Sequence, residues 1–167
     1  MELTEQALRK HLSDGIRRLR KDFIKARQAA SFYQITNELS REFASQLEFS
    51  LQELPGNALW AVSNGNFMLD EDRWDLLLMV QDWNIDEPAG IDWVGLHQIR
   101  FGEHTWVACG KRHYDAECPD GVESFFDLPH FRRYIVDHLR STGVECADVE
   151  TDDVIPVPTH PPLRKVA

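Results

Sequence analysis

The chain has 167 residues, 43% of them apolar and 28% charged, with 18 Lys and Arg against 28 Asp and Glu for a net charge of −10; that length fits one domain burying roughly 70% of the unfolded chain's surface. The longest apolar runs, Ala58 to Val62 and Leu76 to Val80, are five residues each against the ~20 that span a bilayer, which excludes a transmembrane segment. The opening Met-Glu-Leu-Thr-Glu-Gln lacks the marks of a secretion signal, and the odd set Cys109, Cys118 and Cys146 reads as reduced thiols, so the chain is expected in the cytoplasm.

From Leu8, the residues Leu12, Ile16, Leu19, Phe23, Ala26 and Ala30 recur at gaps of three and four, one stripe of an amphipathic helix with Thr4 as its N-cap. A second stripe, Phe32, Ile35, Leu39, Phe43, Leu47, Leu51 and Leu54, follows without Gly or Pro. At ~100° per residue the two stripes would face well over ~100° apart on one straight helix. The break therefore falls near Ala29 to Tyr33, where Ser31 and Gln34 have the spacing of a capping box. Two helices, read as an antiparallel hairpin over 1–54, end at Pro55-Gly56-Asn57.

Ala58 to Ser63 then reads as a short strand, with Asn64-Gly65 as a hairpin turn and Asn66 to Leu69 as the return. Trp74 to Val80 fits a buried strand, although Asp70 could cap a helix over the same stretch. After the Pro88-Ala89-Gly90 turn, Ile91 to Phe101 and His104 to Cys109 read as strands joined through Gly102-Glu103. Lys111 to Glu123 reads as loop containing a Pro119-Asp120-Gly121 turn. Leu128, Phe131, Ile135, Leu139 and Thr142 sit at helical gaps behind Asp127 as N-cap, with Pro129 in the first turn and Gly143 as the stop. Val144 to Val149 could add an edge strand, and 151–167, with Pro156, Pro158, Pro161 and Pro162, reads as an extended or disordered tail. The expected class is α+β, a single domain over 1–150: a helical hairpin (1–54), a mainly antiparallel sheet of four to five strands (58–109), a C-terminal helix (127–142) and a Pro-rich tail.

Charge is unevenly laid out: residues 1–30 carry a net +4, residues 31–54 a net −3 and residues 55–167 a net −11. Such an acidic body repels phosphate backbones and favours encounter with basic proteins. Nucleic-acid binding would have to come from the first helix alone, through Arg17, Arg18, Lys21 and Lys25.

Several groupings could carry chemistry. His104, Cys109, His113 and Cys118 are four soft ligands of the kind zinc accepts, and the closing His-x4-Cys resembles the spacing in retroviral-type zinc knuckles. The knuckle's opening Cys-x2-Cys is missing, and His104 and Cys109, five positions apart, should face opposite sides of a strand. Asp75, Asp92 and Glu103 could serve a metal-dependent hydrolase or nuclease, but no Glu-x-Lys accompanies them. His130, Tyr134 and His138 fall on successive turns of the last helix beside Asp137, a proton-handling row or plain helix surface. Cys109 with His104 or His97 is an unspecific nucleophile pair. No phosphate loop, serine elbow or dinucleotide fingerprint is present. No catalytic residue, metal ligand or cofactor is therefore assigned.

The segment from Asp70 to Asp92 carries eight acids, Asp70, Glu71, Asp72, Asp75, Asp82, Asp86, Glu87 and Asp92, against Arg73 alone, with Trp74, Trp83 and Trp93 interleaved. Tryptophan is enriched among interface hot spots, and a carboxylate rim accelerates capture of a basic partner. The expectation is an acidic protein-binding module with Trp83 as anchor and Asp82, Asp86 and Glu87 as rim. In size and charge it is similar to immunity proteins and antitoxins that neutralise a basic toxin. A small metal-dependent hydrolase or nuclease is the alternative, a nucleic-acid accessory protein the third class, and the helical hairpin offers a surface for a homodimer.

Overall fold

A computed structural model describes residues 4–51, 59–64, 70–83 and 90–152, and of residues 70–74 and 82 the backbone only. Its elements are α1 (Glu5–Arg27), α2 (Phe32–Glu38), α3 (Ser40–Ser50), β1 (Leu59–Ser63), α4 (Asp70–Asp82), α5 (Trp93–His97), β2 (Thr105–Cys109), β3 (Arg112–Asp115), β4 (Cys118–Val122), a 3-10 turn (Phe125–Asp127) and α6 (Pro129–Ser141). The class is α+β, with a four-stranded antiparallel sheet in the order β1-β2-β3-β4. No described helix is long and apolar enough to cross a membrane.

The start of α1 is set by Thr4, whose Oγ1 accepts the Ala7 N–H at 3.2 Å, and its stripe of Leu12, Ile16, Leu19 and Phe23 is buried. Gln28 ends it in the left-handed region at φ 53°. Half of the capping box then forms, Gln34 N–H donating to Ser31 Oγ at 3.1 Å, while the Gln34 side-chain oxygen accepts from Ala30, one residue before the cap, at 2.6 Å. The second stripe is divided between two helices, which corrects the two-helix hairpin of 1–54. The Thr36 hydroxyl and Asn37 amide donate to the carbonyls of Phe32 and Tyr33 at 3.2 and 2.9 Å, side-chain bonds that compete with the backbone ladder. Leu39 then leaves helical geometry at φ −127°, ψ 17°, before α3 begins. Ile35, Phe43 and Leu47 keep the stripe buried across the break.

The sheet separates two apolar cores. Alternation along β2 sends Val107 and Cys109, with Tyr114 of β3, toward the stripes of α1, α2 and α3. Trp106 faces the other way, into a core of Leu76 and Val80 from α4, Leu96 from α5, and Phe131, Ile135 and Leu139 from α6. The register pairs Val62 with Trp106 and Val107 with Tyr114, so partners across the strands share a face. Every residue of β2 is buried as a result.

Trp74 to Val80 is not a strand but lies within α4. Five apolar residues in a row fit either element by periodicity, and the burial of Leu76 and Val80, four apart, with Leu78 58% exposed, is helical. Ile91 to Phe101 is likewise not a strand: Asp92 accepts the Gly95 N–H at 3.0 Å and starts the short helix α5. Lys111 to Glu123, expected as loop, forms β3 and β4, so the sheet runs past Cys109 to Val122. Asp115 makes that possible, its Oδ1 accepting the N–H groups of Glu117 and Cys118 at 3.0 and 2.9 Å to close the turn between the strands. Pro119-Asp120-Gly121 lies inside β4, with Gly121 at φ 73° against the Tyr114 ring.

At α6 the N-cap is Leu128 without a side-chain bond, while Asp127 sits in the 3-10 turn and reaches Arg132 at 3.4 Å. Pro129 occupies the first turn as expected. Gly143, at φ 84°, gives a Schellman end: its N–H donates to Arg140 O at 3.0 Å and the Val144 N–H to Leu139 O at 2.9 Å. Val144 to Val149 forms no strand. The expected return strand at 66–69 and the tail beyond 152 lie outside the described residues.

Candidate functional site

The β3-β4 turn and α6 hold a buried polar cluster. Asp115 Oδ2 bonds His104 Nε2 at 2.9 Å, with the two side chains 3% and 0% exposed. The His104 ring stacks on that of His130, centroids 4.5 Å apart at 22°. His130 Nε2 donates to the carbonyl of Gly102 at 3.0 Å. Burial first, and His104 second, push the His130 pKa well below its ordinary 6.5, so the ring is neutral. One residue pair on, Arg133 and Glu117 form a two-bond ion pair, Nη1 to Oε1 at 2.9 Å, again almost fully buried. The Tyr33 ring lies 4.5 Å from that guanidinium, and Thr151 donates its hydroxyl to Glu117 at 3.1 Å. Sealed from solvent, this cluster ties α6 and the end of the described chain to the turn. It is scaffold, and it divides the row of His130, Tyr134 and His138: His130 belongs to it and faces Gly102, while His138 stands apart, 3.9 Å from Asp92.

The other groupings are not brought together. Among the described residues no group of three or more His, Cys, Asp or Glu is arranged to hold a metal. His104 faces Asp115 and His130, while Cys109 lies in the opposite core, its thiol pKa raised by burial. Cys118 is pushed up to about 12, by burial and then by Asp115, which suits neither thiolate ligation nor nucleophilic attack. Asp92 caps α5 and Glu103 meets Arg41 at 3.3 Å.

At the end of α4, Trp83 is half-buried and packs on the second core. The Arg132 guanidinium lies 4.5 Å from its ring centre, a cation–π contact that holds the indole in place. The backbone of Asp82 precedes it in the last turn, and Asp86 and Glu87 lie outside the described residues.

Surface charge is organised by internal pairing. Arg17, Arg20, Arg27, Arg132, Arg133 and Arg140 each meet a carboxylate, Asp120, Asp152, Glu42, Asp127, Glu117 and Asp148 respectively. Arg17, one of the four cations expected to serve nucleic acid, is thus engaged with Asp120, and that bond lowers the Asp120 pKa. The stripes of α1 and α3 face the core, and the large apolar residue that α3 shows to solvent is Phe49, 70% exposed. Glu123 and Leu78, absent from the sequence-based site, border an open cleft beside α4; their only sequence signals are an apolar residue on a polar helix face and an acid after a turn. The fold and these surfaces define an α+β scaffold with solvent-facing acidic clefts. No family model, curated protein or solved structure matches this chain.

Proposed function

We propose that this chain is an acidic, cytoplasmic protein-binding module, of the inhibitor, immunity or antitoxin kind, that sequesters a basic partner protein. The observation that carries the reading is the internal pairing of the arginines. With 28 acidic against 18 basic side chains, the arginine ion pairs leave the excess carboxylates, Asp22, Asp75, Glu145 and Glu150 among them, exposed to solvent. A long-range field of that sign accelerates capture of a cationic protein. Trp83 is the anchor in this reading, held ready by Arg132, and Asp82, Asp86 and Glu87 form the rim around it.

The test is association kinetics against the partner recovered by gentle purification. Replacing Asp82, Asp86 and Glu87 by Lys should slow association about tenfold or more at low salt and much less at high salt, where the field is screened. An unchanged association rate removes the proposal.

A further inference from the structure

We propose that the cleft between α4 and the β3-β4 end of the sheet receives an arginine side chain of the basic partner. This rests on the module reading above and names one contact through which the partner is held. The cleft, of about 390 Å³, is lined by Asp75, Leu78, Met79, His113, Glu123 and Phe125, with Ser124 and Phe126 behind. That is within the ~300–1,000 Å³ of small-ligand sites. Leu78 is 58% exposed at its edge, and both Asp75 and Glu123 face solvent. Arg112 makes a long ion pair with Glu123 at 3.9 Å, without a hydrogen bond, and the Glu123 side chain stays 85% exposed.

The imidazole in the wall adds no positive charge. Trp106 Nε1–H donates to His113 Nδ1 at 2.9 Å, which leaves the proton of the neutral ring on Nε2. The cleft therefore presents two carboxylates over an apolar floor, with no lysine or arginine among its described lining residues and Arg112 paired to Glu123 from outside it. An arginine matches both parts: its stem packs on Leu78 and Met79, and its planar guanidinium meets a carboxylate through two N–H groups while lying against the Phe125 ring. Two other open clefts among the described residues do not match. The one of about 830 Å³ beside β4 and α6 has Asp120, Asp148 and Asp152 already bonded to Arg17, Arg140 and Arg20. The one of about 590 Å³ beside the start of α1 carries Arg9, Lys111 and Arg112 itself.

The test titrates the full chain with acetyl-Gly-Arg-Gly-amide into the millimolar range, following side-chain NMR signals, with the Gln and Lys peptides as controls. Saturable shifts at Leu78, Met79 and His113 are expected with the Arg peptide, weaker ones with Lys and none with Gln. Asp75→Asn with Glu123→Gln should weaken the apparent affinity roughly tenfold while leaving thermal unfolding unchanged. Equal shifts with Arg and Gln, equal binding of Arg and Lys, or shifts that the double variant leaves intact would each overturn the assignment. The two readings fail separately. A recovered basic partner that binds the double variant with undiminished affinity overturns the cleft alone, whereas recovery of no basic partner counts against the module whatever the peptide does.

Discussion

Glu117→Gln should be among the most damaging single changes in this protein. The carboxylate takes two bonds from Arg133 and one from the Thr151 hydroxyl, and the two charged side chains are 0% and 3% exposed. An amide of the same shape removes the charge, turns an N–H group toward the guanidinium and leaves that buried cation one neutral acceptor and the face of the Tyr33 ring. Breaking a buried pair from one side costs about 3–5 kcal/mol, which for a domain of this size lowers Tm by roughly 6–20 °C. Urea unfolding followed by circular dichroism, with equal slopes for the variants, measures the loss directly. The double variant Glu117→Leu with Arg133→Met removes both charges and should recover to within about 1 kcal/mol of the parent. A loss below about 1 kcal/mol for Glu117→Gln, or a double variant as unstable as the single, would refute the uncompensated-cation explanation.

Acid sensitivity should begin in the histidine range. His130 and, by burial, His113 have folded-state pKa values below the ordinary 6.5. Stability is therefore complete above pH 6.5 and falls as the unfolded chain takes up protons the folded one refuses, by up to about 1.4 kcal/mol per pH unit for His130; a stability flat from pH 7 to 5 would contradict this. In α4, Leu76→Ala should cost about 2–5 kcal/mol and Leu78→Ala less than about 0.5, read by the same urea curves, whereas a strand over that stretch would not separate the two in this way. Gly143→Ala, with open space around a Cβ at φ 84°, should cost about 1–2 kcal/mol for the left-handed conformation alone, and Gly121→Ala more, because its Cβ would stand 2.5 Å from the Tyr114 ring; equal thermal shifts for the two would refute that packing.

Helices whose apolar residues follow one period were legible from sequence. The α1 stripe, the Ser31-Gln34 box and the Gly143 stop each rest on bonds between near neighbours. α4 was not, because five consecutive apolar residues carry no phase, and only the layer packed on Leu76 and Val80 decides between helix and strand. β3 and β4 were hidden by their polar letters: Arg112, His113 and Asp115 read as loop until Asp115 closes the turn and Tyr114 is seen beneath α1. The site was less legible still. Trp83 was singled out among acids, but its Arg132 partner comes from α6. Glu117 with Arg133, and Asp75 with Glu123, are joined by the fold and by no local spacing.

Native mass spectrometry of the protein purified at low salt from its own cells tests the module reading most directly, because one spectrum weighs metal, copy number and retained partner together. A stoichiometric complex with one basic protein is expected, dissociating as salt is raised and lost when Asp82, Asp86 and Glu87 are replaced by Lys. A chain that carries one metal ion and no protein partner, or a partner retained equally by the charge-reversed variant, would contradict it.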